Sequence, residues 1–232
     1  MTRSLRLPVA LGCVAFMSAA AHAAAVTTAN DGLHIEGGSL GRFVLSYPVL
    51  LGDKELKPIE TTVANPRATL TYDGGARVTV SVADNGEIAL SFKDLPAGAQ
   101  KFKMEMLLPF DLAQGGRWRV DGKEQPFPAQ KPATPHLYQG TGKELQVINL
   151  ENRRLSVTVP DGSYQQVQDN REWNWKTFHW MFIAPLQGDR SGARLRVTVG
   201  VAEGGVKSIV LVDELGQDRQ MEWPGKAKSP RS

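Results

Sequence analysis

The chain has 232 residues, of which 41% are hydrophobic, and a formal net charge of +3. No basic stripe accompanies that charge, so nucleic acid is not an expected partner. A single cysteine among 232 residues excludes a disulfide within the chain.

Residues 1–23 read as a secretory signal peptide. Arg3 and Arg6 open it, an apolar run rich in small residues follows, and Ala21-His22-Ala23 offers a small-x-small cleavage site. The run is too short for a bilayer span, and no later segment is long and apolar enough, so no membrane span is expected. Cys13 sits inside the run behind Ala10-Leu11-Gly12, a poor approach to a lipidated cysteine. Removing the leader removes the cysteine and two arginines, leaving 25 basic against 24 acidic side chains. The expected location is periplasmic or secreted. Stability must come from core burial alone, and the roughly 200 remaining residues suffice for one core. That domain is expected over 24–225, with 226–232 a frayed basic tail.

Short alternating runs separated by Gly, Asp, Asn and Pro dominate the rest, which signals strands and hairpins. Residues 42–50 alternate, with Phe43, Leu45 and Tyr47 on one face. Residues 68–72 and 77–82 flank Asp73-Gly74-Gly75, and 77–82 and 87–92 flank Ala83-Asp84-Asn85-Gly86. These turns supply the positive φ that tight hairpins need. Val78, Val80 and Val82 share a face, as do Ile88, Leu90 and Phe92. In 101–108, Phe102, Met104, Met106 and Leu108 are in step, and Trp118 reads as a core residue between two exposed arginines. Residues 125–135 hold four prolines and no periodicity, which predicts a long ordered loop ending at His136-Leu137-Tyr138-Gln139. Strands resume at 144–150 and 153–159, and 194–201 and 208–212 close the series. About a dozen evenly spaced strands with no helical period predict an all-β fold: a two-sheet antiparallel sandwich of jelly-roll or supersandwich type.

Residues 164–183 concentrate the functional side chains. Three of the five tryptophans lie here with two phenylalanines, a histidine and an arginine. If 171–183 is one unbroken strand, Phe178, Trp180 and Phe182 face the core. Arg171, Trp173, Trp175, Thr177 and His179 then share the other face, unless a bulge near Lys176 breaks the phase. Flat aromatic rings stack on the C–H face of a sugar while amide and charged groups bond its hydroxyls. This gives a candidate carbohydrate site of Trp173 and Trp175 with Gln166, Gln168, Asn170, Arg171, Asn174 and His179. The plainer account makes the tryptophans core, His179 a bonded structural histidine and Asp169-Asn170 a turn.

The same residues allow an enzyme. A lyase on a uronate-containing polymer needs neutralisation of the C5 carboxylate, a base and an acid, and Tyr164, Asn170, Arg171 and His179 supply those types. His179 and Tyr164 are the candidate catalysts. A glycosidase would use two carboxylates, of which Asp169 and Glu172 are the nearest pair. His34, His136 and His179 lack metal-ligand spacing, so no metal and no cofactor is expected, although a loop calcium site stays open.

At class level the chain resembles the secreted β-sandwich domains that accompany bacterial polysaccharide binding and degradation. The resemblance rests on the leader, the many-stranded pattern and Gln168-Asp169-Asn170-Arg171-Glu172-Trp173-Asn174-Trp175. It implies a polysaccharide or oligosaccharide partner and assigns no catalytic residue. A carbohydrate-binding protein is the leading expectation, a polysaccharide lyase the alternative, and a non-catalytic envelope or assembly protein the third. The oligomeric state is not legible.

Overall fold

The structure, a computed structural model, describes residues 22–186, 188, 190–201, 208–212 and 218–222. The expected leader up to residue 21 and the expected basic tail lie outside the described residues. The strands in chain order are β1 (His22–Ala23), β2 (Ala25–Ala29), β3 (Gly32–Glu36), β4 (Arg42–Leu45), β5 (Val49–Leu51), β6 (Glu55–Leu56) and β7 (Pro58–Ala64). They continue as β8 (Arg67–Tyr72), β9 (Arg77–Val82), β10 (Glu87–Lys93), β11 (Lys101–Pro109), β12 (Arg117–Val120), β13 (Lys123–Pro126) and β14 (His136–Thr141). The last are β15 (Glu144–Ile148), β16 (Arg153–Thr158), β17 (Tyr164–Asp169), β18 (Thr177–Pro185), β19 (Gly192–Val201), β20 (Ser208–Val212) and β21 (Asp218–Glu222).

Two antiparallel sheets form the expected sandwich. One runs β13-β12-β15-β16-β19-β10-β9-β8-β7, with β1 also on β19. The other runs β14-β17-β18-β11-β4-β3-β2, with β5 joining β11 and β6 joining β5. Among the described residues, β20 and β21 pair only with each other.

Alternation builds the core from both inner faces. In the first sheet Val78, Val80 and Val82 lie opposite Phe92, Leu90 and Ile88, as their spacing predicts. In the second, Phe102, Met104, Met106 and Leu108 of β11 lie opposite Ala184, Phe182, Trp180 and Phe178 of β18, all buried. The sheets meet through ring contacts: Phe92 with Phe102 at 5.4 Å and Trp118 with Tyr138 at 5.7 Å between centroids. Burying each large apolar side chain stabilises the fold by about 1.5–3 kcal/mol. The hairpin turns carry the expected positive φ, at 81° and 86° for Gly74 and Gly75 and 77° for Gly86.

Three local expectations differ from the fold. The run 42–50 splits into β4 and β5, because Pro48 has no N–H for the ladder. Tyr47 stays buried between them and donates to the Ala29 carbonyl at 2.6 Å. Burial pushes its phenol up to about 12. Residues 136–139 belong to edge strand β14 rather than to a loop, held by pairing with β17. Trp118 is core as expected, but its flanking arginines are half-buried, both paired with Glu124.

Candidate functional site

The stretch 164–183 is two strands and a tight connection, not one strand from 171 onward. Strand β17 ends at Asp169, a 3-10 turn covers Asn170–Trp173, and Asn174 follows in the left-handed region at φ 63°. Asp169 starts the turn by accepting the Arg171 N–H at 3.0 Å. The Trp175 N–H closes it on the Asn170 carbonyl at 3.2 Å. From Thr177 onward β18 alternates as expected, with Phe178, Trp180 and Phe182 inward and Thr177, His179 and Met181 outward. The reversal lifts Trp173 and Trp175 off the sheet. They are 50% and 62% exposed, unusual for rings of that size.

The tryptophans wall a groove of about 720 Å³ on the outer face of the second sheet. Its floor follows the strand register: Gln168 lies opposite His179, and His179 opposite Leu107. Val44 of β4 continues the floor, and Asp31, Arg42, Ser46 and Glu105 complete the far side. Leu107 is 53% exposed and shares the groove with both tryptophans.

A ladder of side-chain amides runs along β17 beside the groove. Gln139 donates to Gln166 Oε1 at 3.2 Å, Gln166 to Gln168 Oε1 at 2.6 Å, and Gln168 to Asn170 Oδ1 at 2.9 Å. Asn170 then donates to Thr177 Oγ1 at 2.9 Å. Alternation creates it, since residues two apart on one strand share a face. Bonded this way, Gln166 and Asn170 are nearly inaccessible without an unmet polar group.

Charges in the groove are paired. His179 Nε2 lies 3.5 Å from Glu105 Oε2, and Lys103 Nζ lies 3.7 Å from the same oxygen. The hydrogen bond with His179 is the main cause holding the Glu105 carboxyl below its ordinary value, with burial opposing and Lys103 adding. At the far side His34 Nε2 meets Asp31 Oδ1 at 2.8 Å, which lowers Asp31 likewise.

Of the expected site residues, Gln168, Asn170, Trp173, Trp175 and His179 line this one groove. Gln166 is a ladder member one step away, and Asn174 is the exposed residue that reverses the chain. Arg171 does not line the groove. Its guanidinium turns to the inner side, bonding Asp169 at 3.0 Å and the carbonyls of Pro128, Ala129 and Gln130 at 2.8–3.0 Å. It also lies 5.0 Å from the Phe110 ring. It pins the proline-rich loop and leaves no donor fork facing the groove. Tyr164, the other candidate catalyst, stands apart from His179. It lies opposite Ile183, four positions along β18 from His179, about 13 Å in an extended strand. Asp169 is buried on Arg171 and Glu172 is bonded to Lys131 at 2.7 Å, so this carboxylate pair is structural.

Sequence reading missed the far side of the groove. Leu107 carried the available signal: a leucine in the outward phase of 101–108, where β11 otherwise shows Lys103 and Glu105. Among the described residues, no three His, Cys, Asp or Glu side chains gather as a metal site would require, and no helix is long and apolar enough to cross a membrane.

Fold and site together define a two-sheet β-sandwich with an aromatic-walled groove on one outer face. No family model and no curated protein matches the chain. Ten solved chains match it in shape. Among them is a GH31 family sulfoquinovosidase from E. rectale in complex with the aza-sugar inhibitor IFGSQ, at a TM-score of 0.41 and 9% identity. That match covers 77% of this chain and 32% of the enzyme, so this chain spans about a third of the neighbour's length. Nothing of the neighbour's chemistry carries over at that level of similarity.

Proposed function

We propose that this is a periplasmic or secreted carbohydrate-binding protein that holds a polysaccharide or oligosaccharide in the groove between Trp173, Trp175 and Leu107. One observation carries the reading. The exposed tryptophans border the same groove as Gln168, Asn170 and His179, so apolar stacking surface and hydroxyl-bonding groups converge. Sugars present both an apolar C–H face and a ring of hydroxyls, and this combination matches them. Elimination chemistry on a uronate has less support, because Tyr164 stands away from His179 and Arg171 is committed to loop carbonyls.

The test is affinity electrophoresis of the wild type, Trp173→Ala and Trp175→Ala through gels containing soluble polysaccharides. Retardation of the wild type and free migration of both folded variants is the expected result. Equal migration of all three in every gel sinks the reading and leaves the aromatic patch to a protein interface. Absorbance in the band of unsaturated uronates, followed in mixtures with acidic polymers, is expected to stay flat. A rising trace abolished by His179→Ala would replace binding with lyase activity.

A further inference from the structure

We propose that the groove takes an uncharged glycan chain rather than a uronate or another polyanion. The inference rests on reading the groove as a glycan site and narrows its ligand by asking which polar groups have capacity left.

Each charged group lining the groove already has a partner of opposite charge. Arg42 Nε donates to Glu36 Oε1 at 2.7 Å, so the arginine that lines the groove among the described residues has its charge offset by a carboxylate while its other N–H groups remain able to donate to a hydroxyl. Asp31 is taken by His34, and Glu105 by His179 and Lys103. Lys103 in turn reaches Glu55 at 3.6 Å. Lys176 follows Trp175 and is exposed, but it does not line the groove. A uronate bound at Arg42 would lie beside the carboxylates of Glu36, Asp31 and Glu105. Like charges at that range repel, and Arg42, already offset by Glu36, is the arginine or lysine that lines the groove among the described residues.

The neutral groups keep capacity. Ser46 Oγ accepts the Glu105 N–H at 2.9 Å and retains its own O–H to donate. Gln168, only partly buried, spends one amide hydrogen on the ladder and holds a second. A hydroxyl can donate to or accept from such groups, whereas a carboxylate only accepts. Trp173, Trp175 and Leu107 supply apolar surface for ring faces. The floor from Gln168 through His179 and Leu107 to Val44 spans three inter-strand steps, about 14 Å, longer than one sugar ring. A chain of rings, not a monosaccharide, fills it.

The experiment is titration calorimetry of the full-length chain against soluble neutral polymers (a xylan, a galactomannan, a mixed-linkage glucan) and acidic ones (polygalacturonate, alginate). Each titration is run at about 50 mM and about 500 mM salt, a range over which added salt screens out interactions between exposed charges. The expected result is binding to at least one neutral polymer, changed less than about twofold by salt and weakened at least about tenfold in Trp173→Ala. Binding confined to the acidic polymers, weakened more than about tenfold by salt, overturns the uncharged ligand while keeping a glycan site. Absence of binding across the whole panel overturns both.

Discussion

Asn170 donates its side-chain amide to Thr177 Oγ1 at 2.9 Å, across seven positions of chain, and so closes the connection that carries Trp173 and Trp175. The same side chain accepts from Gln168 at 2.9 Å, which ties the connection to the amide ladder of β17. The platform is thus fixed to the sheet by side chains as well as by the strand ends.

Asn170→Ala is therefore expected to damage stability and binding together. It strands the Gln168 amide and the Thr177 hydroxyl beside a nearly inaccessible position, and such a loss costs about 1–3 kcal/mol. Denaturant melts read the stability, and polysaccharide retardation reads the binding. A variant that melts like the wild type yet fails to bind would make Asn170 a contact only, with no part in holding the platform.

Trp173→Ala and Trp180→Ala should separate cleanly although they lie seven positions apart in one stretch. Trp173 is half exposed, so its truncation is expected to leave the melting point within a few degrees while binding weakens about tenfold or more. Trp180 is fully buried and donates to Gln165 Oε1 at 3.0 Å, and removing it costs about 3–5 kcal/mol. Thermal melts of the two variants, side by side, check the assignment of faces.

The faces of β18 were legible because alternation is local: Phe178, Trp180 and Phe182 are buried as their spacing requires. The break before Thr177 was not. Asn174 has to adopt φ 63°, and an asparagine between two tryptophans fits a strand pattern almost as well as a turn. The far side of the groove was hidden for a different reason. Asp31, Arg42 and Glu105 reach it only through the pairing of β3, β4, β11 and β18, contacts between distant parts of the chain that no local periodicity encodes. The setting of Arg171 was hidden likewise, because the three carbonyls from 128–130 that take its donors lie some forty positions earlier in the chain.

Those carbonyls make Arg171→Ala a severe change. It leaves the buried Asp169 carboxylate without its partner and frees the 127–135 loop, and breaking a buried pair from one side costs about 3–5 kcal/mol. Arg171→Lys keeps the charge but cannot bond Asp169 and several carbonyls at once, so a smaller loss is expected. Limited proteolysis should cut first within 127–135 in both variants. Cleavage elsewhere, with that loop still protected, would show that other contacts hold it.

Glu105 gives the groove a pH dependence whose sign follows from its carboxyl being held low. The folded chain binds that proton less readily than the unfolded one, chiefly through the hydrogen bond with His179 and then through Lys103. The resulting stability is complete above the ordinary glutamate range, about pH 4–5, and is lost as pH falls through the lower folded value. Glu105 is partly exposed, so solvent screening keeps the effect small, a few degrees at most in melting point. Glu105→Gln is expected to flatten this part of the acid limb and to leave the curve above about pH 6 nearly parallel to the wild type. Melting points taken from neutral pH to about pH 3 decide it: acid limbs of identical slope would remove Glu105 from the acid response and assign it to other carboxylates, Asp31 on His34 first among them.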